Sequence, residues 1–113
     1  MNTIDERSPA FDEAVGKFLD QCDLVTNGCG EHVSYTFSTT RGPRYIKVLR
    51  SQMGSTSIHA FVRISDGAIL YPAGCNKPFI GKDGPNGPRT VRGNIYSPQS
   101  GREALGPWGV RTL

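Results

Sequence analysis

The hydrophobic period changes once along this chain, and that change dictates the fold class. Phe11, Val15, Phe18, Leu19 and Cys22 recur at steps of four, three, one and three. Such spacing lines one side of a 3.6-residue helix with apolar groups. Ser8 supplies an N-cap hydroxyl and Pro9 suits the first helical position. Asp12 and Glu13 fall in the early turns, where negative charge suits the helix dipole. The spacing predicts a helix over residues 8–24, ended by Asn27-Gly28-Cys29-Gly30. From Val33 the period drops to two. Val33, Tyr35 and Phe37 alternate with hydroxyl residues, as in a strand with one buried face. Ile46 and Val48 alternate with Lys47 in a second strand, after the Arg41-Gly42-Pro43 turn. In a third, Ile58, Ala60, Val62 and Ile64 alternate with His59, Phe61 and Arg63. Asp66-Gly67 reads as a primed hairpin turn with positive φ at both central positions. Ala68–Tyr71 forms the fourth strand, and Pro72 ends it.

Short connections between these strands predict a four-stranded antiparallel meander over residues 31–71. The helix stripe then covers one face of the sheet, an α+β arrangement in a single domain of 113 residues. Residues 1–7 read as a frayed leader. Residues 72–113 read as an irregular, basic Gly/Pro-rich segment wrapping a sheet edge. Nine of the twenty-three residues from Pro72 to Asn94 are Gly or Pro, too many for a central strand or a helix. Thr90–Arg92 and Asn94–Tyr96 read as short edge pairings, and Arg102–Leu105 as one helical turn. Trp108, Val110 and Leu113 are expected to dock on the core. With no run of about 18 apolar residues, no membrane span is expected. The N-terminus lacks the apolar segment of a secretory signal. The cytoplasm is the expected compartment, with Cys22, Cys29 and Cys75 as reduced thiols.

Charge is unevenly placed. Residues 1–31 carry seven acids against two cations, net −5, while residues 32–113 carry eleven cations against three acids, net +8. Two readings stay open: a polyanion-binding body with an acidic flank, or an acidic segment neutralising a basic one. Gly81-Lys82-Asp83 has no hydroxyl after the lysine, and Gly84-Pro85 and Gly87-Pro88 prevent a following helix. It is therefore not a nucleotide-binding phosphate loop. Lys77, Lys82, Arg89 and Arg92 still make the stretch basic, as a grip on a nucleic-acid backbone would require. Lys47, Arg50, His59 and Arg63, with Tyr45, mark the second and third strands as a basic, aromatic sheet face suited to single-stranded nucleic acid. An ordinary solvated face fits the same residues. Cys29-Gly30-Glu31-His32 has half of a zinc spacing, with Cys22 and Cys75 as distant completions. Buried thiols fit better, so neither metal nor cofactor is expected. Cys29/His32 and Cys75/His59 are the available nucleophile–base pairs, but no nucleophile elbow accompanies them. No catalytic residues are assigned.

Arg44–Val48, Ser57–Val62, Asp66–Leu70, Arg92–Ile95 and Gly106–Gly109, with a closing leucine, resemble in order and spacing a family of small tailed-bacteriophage proteins. The resemblance covers about residues 44–113 and leaves out the helix. That family has a tryptophan and lysines after its fourth strand. Here Ala73–Pro78 keeps Lys77 and Pro78 but has no aromatic. No activity is attached to the family, so the resemblance implies a phage origin and no mechanism. The expectation is a non-enzymatic phage accessory protein that engages nucleic acid, or a nucleic-acid-bearing complex, in the infected host cytoplasm. Lys47, Arg50, Arg63, Lys77, Lys82, Arg89 and Arg92 would contact phosphates, with His59 and Tyr45 at bases. The alternatives are a module inhibiting a host or defence protein through Asp12, Glu13, Asp20 and Asp23, and a minor virion component. An unpaired edge strand would allow strand addition, but the sequence sets no oligomeric state.

Overall fold

The computed structural model describes residues 9–27, 35–74, 77–106 and 109–111. Ser8, Val33, Trp108 and Leu113 lie outside them, as do Cys29, His32 and Cys75. Helix α1 spans Pro9–Asn27 and runs three residues past the expected Leu24. Its last residue is tied to the start of the sheet: Asn27 Nδ2 donates to the Tyr35 carbonyl at 2.9 Å, and the Tyr35 N–H donates to Asn27 Oδ1 at 2.8 Å. Strands β1 (Thr36–Arg41), β2 (Tyr45–Gln52), β3 (Ser55–Arg63), β4 (Ala68–Leu70) and β5 (Val91–Asn94) follow. They form one antiparallel sheet in the order β1-β2-β3-β4-β5. The meander thus has five strands, not four, because the edge pairing expected near residue 91 is a full member of the sheet. A 3-10 turn at Arg102–Ala104 precedes a short pair, β6 (Leu105–Gly106) with β7 (Gly109–Val110).

The stripe of α1 packs on the sheet. Phe11, Val15, Phe18 and Cys22 meet Ile46, Val48, Ala60, Val62 and Ile69, and the far end of the chain closes the core with Ile95, Ala104, Leu105 and Val110. A second, smaller apolar cluster (Phe61, Ala68 and Leu70 with Tyr45, Ile58 and Val91) lies on the opposite side of the sheet. Ile58 belongs to this second cluster, against the simple alternation expected for β3. The reason is a bulge. Val48 pairs with Ala60 but Leu49 pairs with Ile58, so His59 has no opposite residue. The extra residue places His59 and Ala60 on the helix side and turns Ile58 to the other side. His59 therefore does not share a face with Phe61 and Arg63.

Two turns also differ from expectation. The β3–β4 connection comprises residues 64–67, and only Gly67 has positive φ (77°), so Asp66-Gly67 is not a two-residue primed turn. Asp66 instead accepts the Ala68 N–H and two bonds from Arg63. The tight primed turn is Met53-Gly54, with φ 51° and 86° between the paired residues Gln52 and Ser55. No helix among the described residues is long and apolar enough to cross a membrane.

Candidate nucleic-acid interface

Residues 32–65 contain no acid, while Arg41, Arg44, Lys47, Arg50 and Arg63 all fall within them. This acid-free stretch folds into β1, β2 and β3. The β1–β2 turn is closed by the Gly42 N–H donating to the Tyr45 carbonyl at 2.8 Å. That turn sets Arg41 and Arg44 at one end of the sheet, with the Arg41 guanidinium over the Phe11 ring of α1, 5.8 Å from its centroid. Beside them Lys47 and Phe61, opposite each other in the β2–β3 register, face away from α1. Tyr45 meets Phe61 edge-on, with ring centroids 5.9 Å apart. Together these residues line a hollow of about 390 Å³. Among the described residues its walls hold three cations, two aromatic rings and no carboxylate. An adjoining hollow of about 480 Å³ runs past Arg44 and Tyr45 to Arg63 and Pro85.

The other expected contacts do not all reach this surface. Arg63 is held within the fold: its guanidinium pairs with Asp66 at 2.8 Å and donates to the Pro85 carbonyl and Asn86 Oδ1, each at 2.9 Å. The Asp66 carboxylate raises the Arg63 pKa, and Arg63 in turn lowers that of Asp66. Arg92 lies over the rings of Tyr71 and Phe79, 5.3 and 5.7 Å from their centroids. It donates to the carbonyls of Arg89 and Arg111. Arg50 lies on the helix side, over Tyr35 and 3.4 Å from His59 Nδ1. Lys77, Lys82 and Arg89 are exposed on the Gly/Pro-rich segment. The structure thus joins Tyr45 and Lys47 in one hollow, carries Arg63 to its neighbour, and sends Arg50 and His59 to the opposite side. Arg41 and Arg44 are added to the set. Their signal in the sequence was a turn, Arg41-Gly42-Pro43-Arg44, with a cation at each end.

The glycine-proline loop is fastened to itself. Thr90 Oγ1 accepts the Gly81 N–H and donates to the Gly84 carbonyl, both at 2.7 Å. Asp83 accepts the Arg89 N–H at 3.0 Å. The Gly84, Gly87, Thr90 and Val91 N–H groups go to carbonyls of the same loop. Six backbone donors of this stretch, those of Gly81, Gly84, Gly87, Arg89, Thr90 and Val91, are thus engaged within the loop, and Pro85 and Pro88 supply none. The exposed Lys82 and Arg89 side chains add positive charge to it.

His59 is 1% exposed. Its ring meets Phe37 edge-on at 4.9 Å. An arginine can only donate, so Nδ1 accepts from Arg50 and the ring proton sits on Nε2, which has no hydrogen-bond partner among the described residues. Burial, and then the charge of Arg50, lower its pKa to about 4. Such an imidazole is inaccessible to bases. Cys22 is fully buried on α1, and burial pushes its thiol up to about 12, which leaves it inert. Among the described residues no three His, Cys, Asp or Glu side chains gather as a metal site.

A family model matches residues 10–106. The chain belongs to DUF7717, a family of unknown function. The match takes in α1 as well as the sheet, and so starts well before the span over which the phage resemblance was expected. No curated protein and no solved structure matches the chain. For a DUF7717 member, the chemistry must therefore be argued from the surface itself.

Proposed function

We propose that this DUF7717 protein is a non-enzymatic accessory protein that binds nucleic acid through the end of the sheet formed by the β1–β2 turn. The observation that carries the reading is the hollow lined by Arg41, Arg44 and Lys47 beside Tyr45 and Phe61, with no carboxylate among the described residues that line it. Cations there would displace counterions from a phosphate backbone. Tyr45, half-buried against Phe61, offers a ring on which a base can stack. Lys77, Lys82 and Arg89, exposed on the later segment, extend the positive charge. Arg50, Arg63, Arg92 and His59 serve the fold in this reading. The resemblance of residues 44–113 to tailed-phage proteins sets the expected context, the cytoplasm of an infected host.

A gel shift against single- and double-stranded DNA and RNA over a salt series tests the proposal. Binding should weaken steeply as salt rises, and Arg44→Glu with Lys47→Glu should abolish it. Salt-independent binding, or none at low salt, would contradict it.

A second reading rests on α1. Asp12, Glu13, Asp20 and Asp23 are exposed there, next to a Leu24 that is 56% exposed. That surface suits a basic protein partner, such as a host or defence protein, or a neighbour within a virion. A stoichiometric protein partner retained after nuclease treatment and lost in Asp20→Lys would favour it.

A further inference from the structure

Met53 occupies the apex of the β2–β3 ribbon at a double disadvantage. It is 96% exposed, and its φ of 51° places a long side chain in the left-handed region. Asn or Gly fits the first central position of a primed turn with less strain. Met53 belongs to neither apolar cluster, so the fold gains no burial from it. The residues around it, Ser51, Gln52, Ser55, Thr56 and Ser57, are uncharged hydroxyl and amide groups. The Ser51 and Thr56 hydroxyls bond across the ribbon at 3.0 Å, which stiffens it just below the apex.

We propose that Met53 is a wedge that enters a base step of double-stranded nucleic acid. A two-stranded ribbon is narrow enough to enter a duplex groove. Apolar side chains, methionine among them, unstack base steps when they are presented in this way. The surrounding hydroxyl and amide groups can bond to base edges and sugars. Charge complementarity favours this partner, since β2 and β3 contain no acid and Arg44 and Lys47 stand at the other end of the same ribbon. Tyr45 and Met53 lie at opposite ends of β2, about 26 Å apart at roughly 3.3 Å per residue. The basic end of the ribbon then holds the phosphate backbone while the apex works several base pairs away. This inference rests on the nucleic-acid reading and adds a direction to it: apex in the groove, β1–β2 turn on the backbone.

The test uses the full chain and duplexes carrying 2-aminopurine, whose fluorescence rises when it unstacks. Wild type should raise the fluorescence at one step. Met53→Asn should melt at the same or a higher temperature and lose that rise. It should also bind about tenfold more weakly, the scale of one stacking contact, with unchanged salt dependence. Met53→Leu should keep the rise. A Met53→Asn protein with wild-type affinity and fluorescence would overturn the wedge and leave the basic surface standing. A wild type that binds no nucleic acid would remove both. Met53-dependent association with phosphatidylcholine vesicles in place of duplex would also overturn the wedge.

Discussion

His59 stays neutral in the folded chain because protonation would set a cation beside Arg50 in a site closed to water. The unfolded chain carries no such penalty. Between an unfolded pKa near 6.5 and a folded value of about 4, the unfolded state binds more protons, so stability falls as the pH falls. The loss between pH 7 and pH 5 is about 2 kcal/mol, read as a lower urea midpoint, and His59→Gln should flatten that dependence. An equally steep dependence in the variant would show that His59 titrates normally. Thr90 is a second residue whose chemistry is internal. Its hydroxyl satisfies both the Gly81 N–H and the Gly84 carbonyl in a fully buried position. Thr90→Val keeps the volume but orphans both groups, which should cost about 1–3 kcal/mol in chemical denaturation.

Among the elements, α1 and the last turn of the chain depend on each other. Phe18 is fully buried, and a Cβ placed on Gly101 would come within 2.6 Å of its ring and 2.7 Å of Ile69. Gly101 also has φ of 89°, so Gly101→Ala adds backbone strain to a clash. Phe18→Ala should cost about 3–5 kcal/mol by calorimetry. Gly101→Ala should also lower the melting temperature, although it adds apolar surface. The helix and β2 were legible because each buries one periodic face, and period is a local signal, whereas β4, buried at every residue, was marked by the turn before it and the proline after it. The bulge at His59 was not, since one extra residue in β3 leaves the apolar pattern plausible on either side. Met53-Gly54 hid its turn because methionine is not a residue that a primed turn favours. Strand β5 escaped as a full strand because Val91-Arg92-Gly93-Asn94 shows no alternation: Gly93 packs against Ala104 and Glu103, where a side chain would not fit.

For the whole molecule, strand alternation along β2 divides the expected cations between two sides of the sheet, Lys47 facing away from α1 and Arg50 lying on its side, while the bulge moves only His59. The sequence marked the positive charge correctly but not the partners that individual cations take within the fold. Arg63 is committed to Pro85 and Asn86, and Arg92 to Arg111, partners about twenty residues away that no local pattern reveals. The surface also carries a basic, aromatic end of the sheet, where Arg41 rests over the Phe11 ring, an exposed basic loop, and the acidic outer face of α1. The central claim is that the first of these meets nucleic acid. Amide chemical-shift mapping during titration with a short oligonucleotide at low salt tests it most directly. The largest changes should fall at residues 40–47 and 61–63, with smaller ones at 82–89 and none on the outer face of α1 at Asp12, Glu13 and Asp20. Changes confined to that helix face, with residues 40–47 silent, would contradict it.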